Sequence, residues 1–461
     1  MLLTSFLLES VVYKIFHFKG LTRNGRRAAS VVRRMSGRVV LCFAIFAGAV
    51  GVSAQNASGD WYLRLFRFGD ELNSARVTLK VDGGKVTGKL AELTLDGTVE
   101  GEKISLSATR PNGKPFGNLS GEIQGDTISG TMACHPGEPE VCQWTAVRLD
   151  TERRAPQTYT FVPKQYFRIF SGGIEPVLHI RPGDTVKTTT VDAGGGDADG
   201  KAKSLGGNPQ TGPFFVEGAV PGDTLVIKIN RLHLNRDYAI SWDRISAHAV
   251  TPDYYRNAKF GDFDSDWKLD LAHGTGGLVK PTDRLKNFKI DLHPMLGCIG
   301  VAPARQEAIR TGGLGAWGGN MDYNKVREGV TVYLPVMQQG ALLFVGDAHA
   351  WQSDGELTGN ALETSMDVEF TVDLIRGEST NGPRFEDDEY IMASGIAGSL
   401  QDALQMATTE LAQWIEKDYK LSANESNVVL GAAIQYDIAE VVDPQYHVVA
   451  KIRKSVLKTL Q

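Results

Sequence analysis

Between Val345 and Glu369 the chain reads V-G-D-A-H-A-W-Q-S-D-G-E-L-T-G-N-A-L-E-T-S-M-D-V-E, which sets Asp347, His349, Gln352, Asp354, Glu356 and Glu363 between two apolar, β-prone runs. If Ala341 to His349 is a strand, side chains alternate, and Asp347 and His349 leave it on one face. The glycines at 346, 355 and 359 let the backbone turn sharply, so Glu356 and Glu363 can fold back towards that pair. Carboxylates beside an imidazole suit a divalent metal, zinc above all in mixed nitrogen and oxygen sites. The same residues would also serve as a solvated turn whose acids cap strand ends.

Two further places carry polar groups next to glycine. Val191-Asp192-Ala193-Gly194-Gly195-Gly196 ends an alternating run with an acid, and its glycines leave room for a ligand, which makes Asp192 a candidate fourth metal ligand after Asp347, His349 and Glu363. In Trp317-Gly318-Gly319-Asn320-Met321-Asp322 the glycines expose backbone N–H groups. Asn320 can donate to a carbonyl oxygen as it becomes an oxyanion, and Asp322 or Glu356 can carry protons to a leaving amine. His248 and His273 stand alone and receive no role. Cys298 lies in an apolar run that raises its pKa, and no Gly-x-Ser-x-Gly elbow precedes a helix, so a cysteine or serine nucleophile has little support.

The elements that must position these residues fall into segments. A chain of 461 residues suggests two to three domains. Its net charge is −5 with basic residues dispersed after the leader, which gives nucleic-acid binding no electrostatic basis. The 51 glycines favour turns and short strands. Arg26, Arg27, Arg33, Arg34 and Arg38 precede an apolar run from Val39 to Val52, and Val52-Ser53-Ala54 has small residues where a signal peptidase cuts. Residues 1–54 therefore read as leader and signal peptide, with Met35 as an alternative start, and the expected destination is periplasmic or secreted. The run is short for a membrane span, although an uncleaved anchor is the other reading. Export also favours a disulfide between Cys134 and Cys142, which flank a Pro-Gly-Glu-Pro turn, over two free thiols.

Residues 55–150 alternate short β-prone runs with turns such as Asp82-Gly83 and Asn112-Gly113, as in an antiparallel meander or small barrel of about eight strands plugged by Trp61 and Trp144. Residues 151–165 read as a linker and 166–461 as a large, mainly β domain. There, Pro182-Gly183-Asp184-Thr185 and Pro221-Gly222-Asp223-Thr224 mark strand, turn, strand units. Weak periodicity between Tyr238 and Lys289 suggests a long, partly buried loop region. Ala393 to Leu421 has helical spacing, while Val428 to Ile438 and His447 to Lys454 are β-prone.

Gly212-Pro213-Phe214 through Pro221-Gly222-Asp223-Thr224, Gly297 to Pro303, Gly318 to Asp322, Leu334-Pro335-Val336, Gly346-Asp347-Ala348-His349 and Asp354-Gly355-Glu356 occur in the order found in the acetamidase/formamidase family, which this sequence resembles from about Phe161 to Leu457. The resemblance implies a β-sandwich-like fold with a few helices, a bound divalent metal, zinc in particular, and hydrolysis of small linear or cyclic amides by metal-activated water. A homo-oligomer is the expected assembly. A binding protein of the same fold without turnover is the competing reading.

Overall fold

Alternation of apolar and polar residues builds the amino-terminal module strand by strand. In Lys103–Thr109 the residues Ile104, Leu106 and Ala108 turn inward and their neighbours face water. The computed structural model describes residues 57–134, 140–152 and 154–460. In it Gly59–Arg67, Asp70–Asp82, Lys85–Leu90, Leu93–Glu100, Lys103–Thr109, Pro115–Gln124, Thr127–Ala133 and Val141–Arg148 pair antiparallel in sequence order, and the last returns to the first to close a barrel. Trp61 and Trp144 are buried in its core, each indole N–H bonded to a backbone carbonyl, that of Ala57 at 3.0 Å and that of Thr131 at 3.2 Å. The hairpin joining Asp70–Asp82 to Lys85–Leu90 turns at Gly83-Gly84, both with positive φ, one residue later than the Asp82-Gly83 expected. The Cys134–Cys142 disulfide is formed. The turn it closes, like the leader, the Val52-Ser53-Ala54 motif and Gln55, lies outside the described residues.

The barrel is fastened to the large domain by side chains from both. Arg76 bonds the Gly218 carbonyl at 2.8 Å and the buried Asp223 carboxylate at 2.7 Å. Tyr62, Leu149 and Val220 form a small apolar contact beside them. The segment expected as a linker is partly structural: Thr158–Thr160 is a strand pairing with Thr185–Thr189, and Arg154 reaches the buried Asp184 at 2.5 Å.

The large domain is a sandwich of two sheets. One, nine-stranded, runs Gln435–Glu440, Tyr446–Arg453, Tyr390–Ala397, Arg384–Glu386, Thr331–Pro335, Thr224–Leu234, Met366–Ile375, Thr185–Thr189, Thr158–Thr160. The other, eleven-stranded, is centred on Leu343–His349, with Met295–Gly300 and then Gly318–Asn320 on one side and Glu363–Thr364 and Gln210–Val216 also paired to it. Ile227, Ile229, Val332, Phe370 and Val372 of the first meet Leu296, Ile299, Leu343 and Val345 of the second in the main core. Inner-face burial of this kind is what holds a sandwich together, each such side chain contributing roughly 1.5–3 kcal/mol.

Three stretches differ from the sequence reading. Tyr238 to Lys289 carries strands Tyr238–Ile240, Asp266–Asp270 and Thr275–Leu278 at the edge of the eleven-stranded sheet, too short for periodicity to show. The helix begins at Leu400, capped by Ser399, because Tyr390–Ala397 is taken into the nine-stranded sheet. Val428 to Ile438, read as β-prone, begins inside the helix Ala423–Ala433, which a Ser422/Glu425 capping box starts, and is extended only from Gln435, in the strand Gln435–Glu440. Among the described residues no helix is long and apolar enough to cross a membrane.

Candidate active site

The central strand Leu343–His349 is buried along its whole length, so alternation alone would point every second residue into the apolar core. Leu343 and Val345 do enter that core, but so do Ala348 and Ala350. The face switches at Asp347, whose φ of 59° is left-handed. Asp347 and His349 are thereby turned away from the core, on the side of Phe344 and Cys298. The neighbouring strand switches with it: Leu296 and Ile299 are core residues, Cys298 is not, and Gly297 stands opposite Asp347. A Cβ at 297 would lie 2.3 Å from Asp322 Oδ1, 2.6 Å from Asp347 Oδ2 and 2.9 Å from the His349 ring. Only glycine leaves room for these three to converge.

Two more carboxylates complete the group. Glu363 is the direct cross-strand partner of His349, its Oε1 3.2 Å from His349 Nε2, while Asp347 Oδ1 is 3.4 Å from the same nitrogen. Glu356 comes from the loop between the two strands, with φ 46°. Asp322, Asp347 and His349 form one set of donors lying within 4.8 Å of one another, and His349, Glu356 and Glu363 form a second. All five residues are buried.

The His349 tautomer is set by its neighbour. Gln352 donates its amide N–H groups to the carbonyls of Asp322 and Ala439, which leaves its Oε1 to accept from His349 Nδ1 at 3.0 Å. The Nε2 lone pair therefore faces the carboxylates. Asn320 donates to Asp322 Oδ2 and to Asp443 Oδ2, both at 2.7 Å, and accepts from Asn208. Asn208 also donates to Asp347 Oδ2 at 3.0 Å, and Gln210 donates to the Asn208 side-chain oxygen at 2.8 Å.

Burial, then the charges of Glu356 and Asp347, push Asp322 well above the usual carboxylate range. Burial likewise raises Glu356 and Glu363, with His349 opposing. For His349 burial favours the neutral ring, but Glu363 and Asp347 together outweigh it and hold the imidazole well above its ordinary value. No Lys or Arg among the described residues ion-pairs with these four acids, and Asp322 Oδ1, His349 Nε2 and Glu363 Oε2 are buried without a hydrogen-bond partner. Buried acceptors of this kind, left open and clustered, fit a divalent cation.

Three of the donors, Asp347, Glu356 and Glu363, line a cleft of about 860 Å³ whose wall also includes Asn208, Asn320 and Asp443 and the apolar Ile240, Trp242, Ile309, Leu314 and Trp317. Burial raises Asp443 to about 6, and the Asn320 hydrogen bond opposes it.

Residues 304–444 match the profile of the Acetamidase/Formamidase family. That stretch carries the acetamidase/formamidase domain. A crystal structure of a predicted acetamidase/formamidase from Thermoanaerobacter tengcongensis superimposes with a TM-score of 0.57 at 25% identity, covering 66% of this chain and 99% of that one. An acetamidase from Yersinia enterocolitica gives 0.57 at 28% identity over 67% and 96%, and one from Bacillus halodurans, whose likeness bears on the fold, 0.55 at 24% over 66% and 99%. No curated protein matches the chain by sequence. The enzyme class is amidohydrolase, acting on carbon–nitrogen bonds other than peptide bonds.

Within this amidase domain the structure rearranges some expected roles. Asp322 joins the donor cluster and is fully buried instead of reaching the cleft. Asn320 lines the cleft, but both its N–H groups are engaged, so it positions Asp322 and Asp443 and has no donor left for an oxyanion. Asp192 is held away from the cluster by Arg236 at 2.7 Å and by the Gly196 N–H at 2.8 Å. Arg236 in turn bonds the Glu363 carbonyl, which makes Asp192 a support behind Glu363. Cys298 is buried and its thiol pushed up by burial. Sequence reasoning missed Asn208, Gln210 and Asp443 and gave Gln352 no role. Gly207-Asn208-Pro209 is turn chemistry that places a side-chain amide, and was the one local signal for Asn208.

Proposed function

We propose that this is an exported hydrolase of small linear or cyclic amides, the formamide, acetamide and lactam class, using a divalent metal, with zinc the first candidate. The observation that carries the metal is the clustering of Asp322, Asp347, His349, Glu356 and Glu363, with open acceptor atoms, beside a cleft that Asp347, Glu356 and Glu363 line. A cation held by these donors would polarise the amide carbonyl and make a nearby water more acidic.

The chain's own groups do the rest. Gln352 fixes the His349 ring, and Asn208 fixes Asp347. Asp443 is the carboxyl on the cleft wall that Asn320 aims, and it is placed to pass a proton to the departing amine. A group titrating near 6 can both hold and release that proton close to neutrality. Trp242, Trp317 and Leu314 offer an apolar wall to the acyl or ring carbons and keep water from them. The Arg-rich leader and Val52-Ser53-Ala54 support export, and a homo-oligomer is the expected assembly.

The experiment is ammonia or amine release across formamide, acetamide, longer amides and lactams, with protein before and after chelation and after zinc return. Activity lost on chelation and restored by zinc is expected. Full turnover after complete metal removal would overturn the metal, and no turnover of any amide with metal bound would overturn the substrate class.

A further inference from the structure

We infer that the cluster is built for two divalent cations instead of one, with Asp347 between them. This deepens the metal reading above and rests on it. The five donor residues do not gather about a single point: they form two sets that share only His349. Atoms bound to one zinc lie at most about 4.2 Å apart, twice a bond of about 2.1 Å, so donors that divide in this way describe two centres.

The shared residue cannot serve both. His349 has its Nδ1–H committed to Gln352, which leaves one lone pair on Nε2 for one ion. That ion has Glu356 and Glu363 as its other donors. The second position then belongs to Asp322 and Asp347. Asp322 Oδ1 and Asp347 Oδ2 flank the same point beside Gly297, at 2.3 and 2.6 Å from where its Cβ would be. Asp347 faces both ways: Oδ1 looks to His349 Nε2 at 3.4 Å, and Oδ2 looks to the Asp322 side, where Asn208 steadies it.

Open acceptors stand at both ends of the group, Glu363 Oε2 at one and Asp322 Oδ1 at the other, each buried and without a partner. The two positions differ in chemistry. The one with His349 is a mixed nitrogen and oxygen site suited to zinc, and the other is all oxygen and accepts harder ions such as manganese or magnesium as well.

The test counts ions. Full-length mature protein is stripped with chelator, reloaded with excess Zn²⁺ or, separately, Mn²⁺, passed through a desalting column and assayed by elemental analysis. Calorimetric titration and, for Mn²⁺, electron paramagnetic resonance accompany it. Two ions per chain with an exchange-coupled manganese spectrum are expected for the wild type. Asp322→Asn and Glu356→Gln should each retain one ion and show an uncoupled spectrum. One ion per wild-type chain, or two without coupling, would overturn the inference and leave the metal reading standing, whereas none would overturn both. If both variants kept two coupled ions, the assignment of donors would be wrong; the wild-type count decides the matter even if a variant does not fold.

Discussion

The barrel and the amidase site are both buried and both β, yet they are made by opposite rules. In the barrel apolar side chains alternate inward, with register shifts near strand ends at Leu65/Phe66 and Ala108/Thr109, and positive φ falls at hairpin tips, mostly on glycines such as Gly83, Gly84, Gly101 and Gly125, with Phe68 and Ala91 as exceptions. In the site the interior is polar, alternation is broken at Asp347, and the left-handed residues are Asn208, Asp322, Asp347 and Glu356 themselves. A non-glycine residue held there costs on the order of 1–3 kcal/mol. The surrounding sandwich sustains it. The difference separates residues that stabilise from residues that are stabilised so as to act.

A single methyl group should break the site and spare the barrel. Gly297→Ala pushes a carbon into Asp322, Asp347 and His349, and we expect metal content to fall below a tenth and turnover by about three orders of magnitude, the scale of losing a principal catalytic group. Gly113→Ala, at a barrel turn with open space around it, should cost about 1 kcal/mol and leave turnover unchanged. Metal analysis, amidase assays and thermal melts of both check the contrast. Equal effects on turnover would erase it.

Gln352→Ala should be milder, because it removes the group that orients His349 and none of the donors. Metal affinity is expected to weaken about 10–100-fold with secondary structure intact. Calorimetric titration measures it, and unchanged affinity would show that packing alone holds the ring.

Behind the site, burial and then Asp443 push Glu440 up to about 9 from its ordinary 4.5. The folded protein thus holds a proton that the unfolded chain releases, so this group's contribution is present below pH 4.5 and lost as pH rises towards about 9. The loss is up to ~1.4 kcal/mol per pH unit across that window. Glu440→Gln should flatten the decline and melt higher than wild type at pH 8, while melting scans with parallel slopes would contradict it. The smallest effect belongs to the barrel: Cys134→Ser with Cys142→Ser opens a loop closed over a sequence separation of 8 and should cost on the order of 2 kcal/mol without changing amide turnover.

Legibility in the sequence divides along the same line. The barrel was legible because period-two patterning and glycine turns are local. The ordered motifs of the large domain pointed to its family, and the density of polar residues from Asp347 to Glu363 marked most of the site. The cause of their convergence was only half legible, since simple alternation would have driven Asp347 and His349 into the apolar core and the switch at Asp347 is a tertiary effect. Asp192 resembled a ligand because its partner Arg236 is distant in sequence, and Asp322 resembled a proton carrier because nothing local shows that it is fully buried. The helix Ala423–Ala433 could have been recognised from Ser422 and Glu425, but Val428 to Ile438 is β-prone in composition.

The central claim is that His349 and the acids around it hold a metal on which amide hydrolysis depends. His349→Ala, verified as folded by circular dichroism, tests it by elemental analysis and ammonia release on the same preparation. The ion held at His349 Nε2 and turnover should be lost together, because the variant removes the one nitrogen donor of the cluster. Full metal content with full turnover would contradict the account.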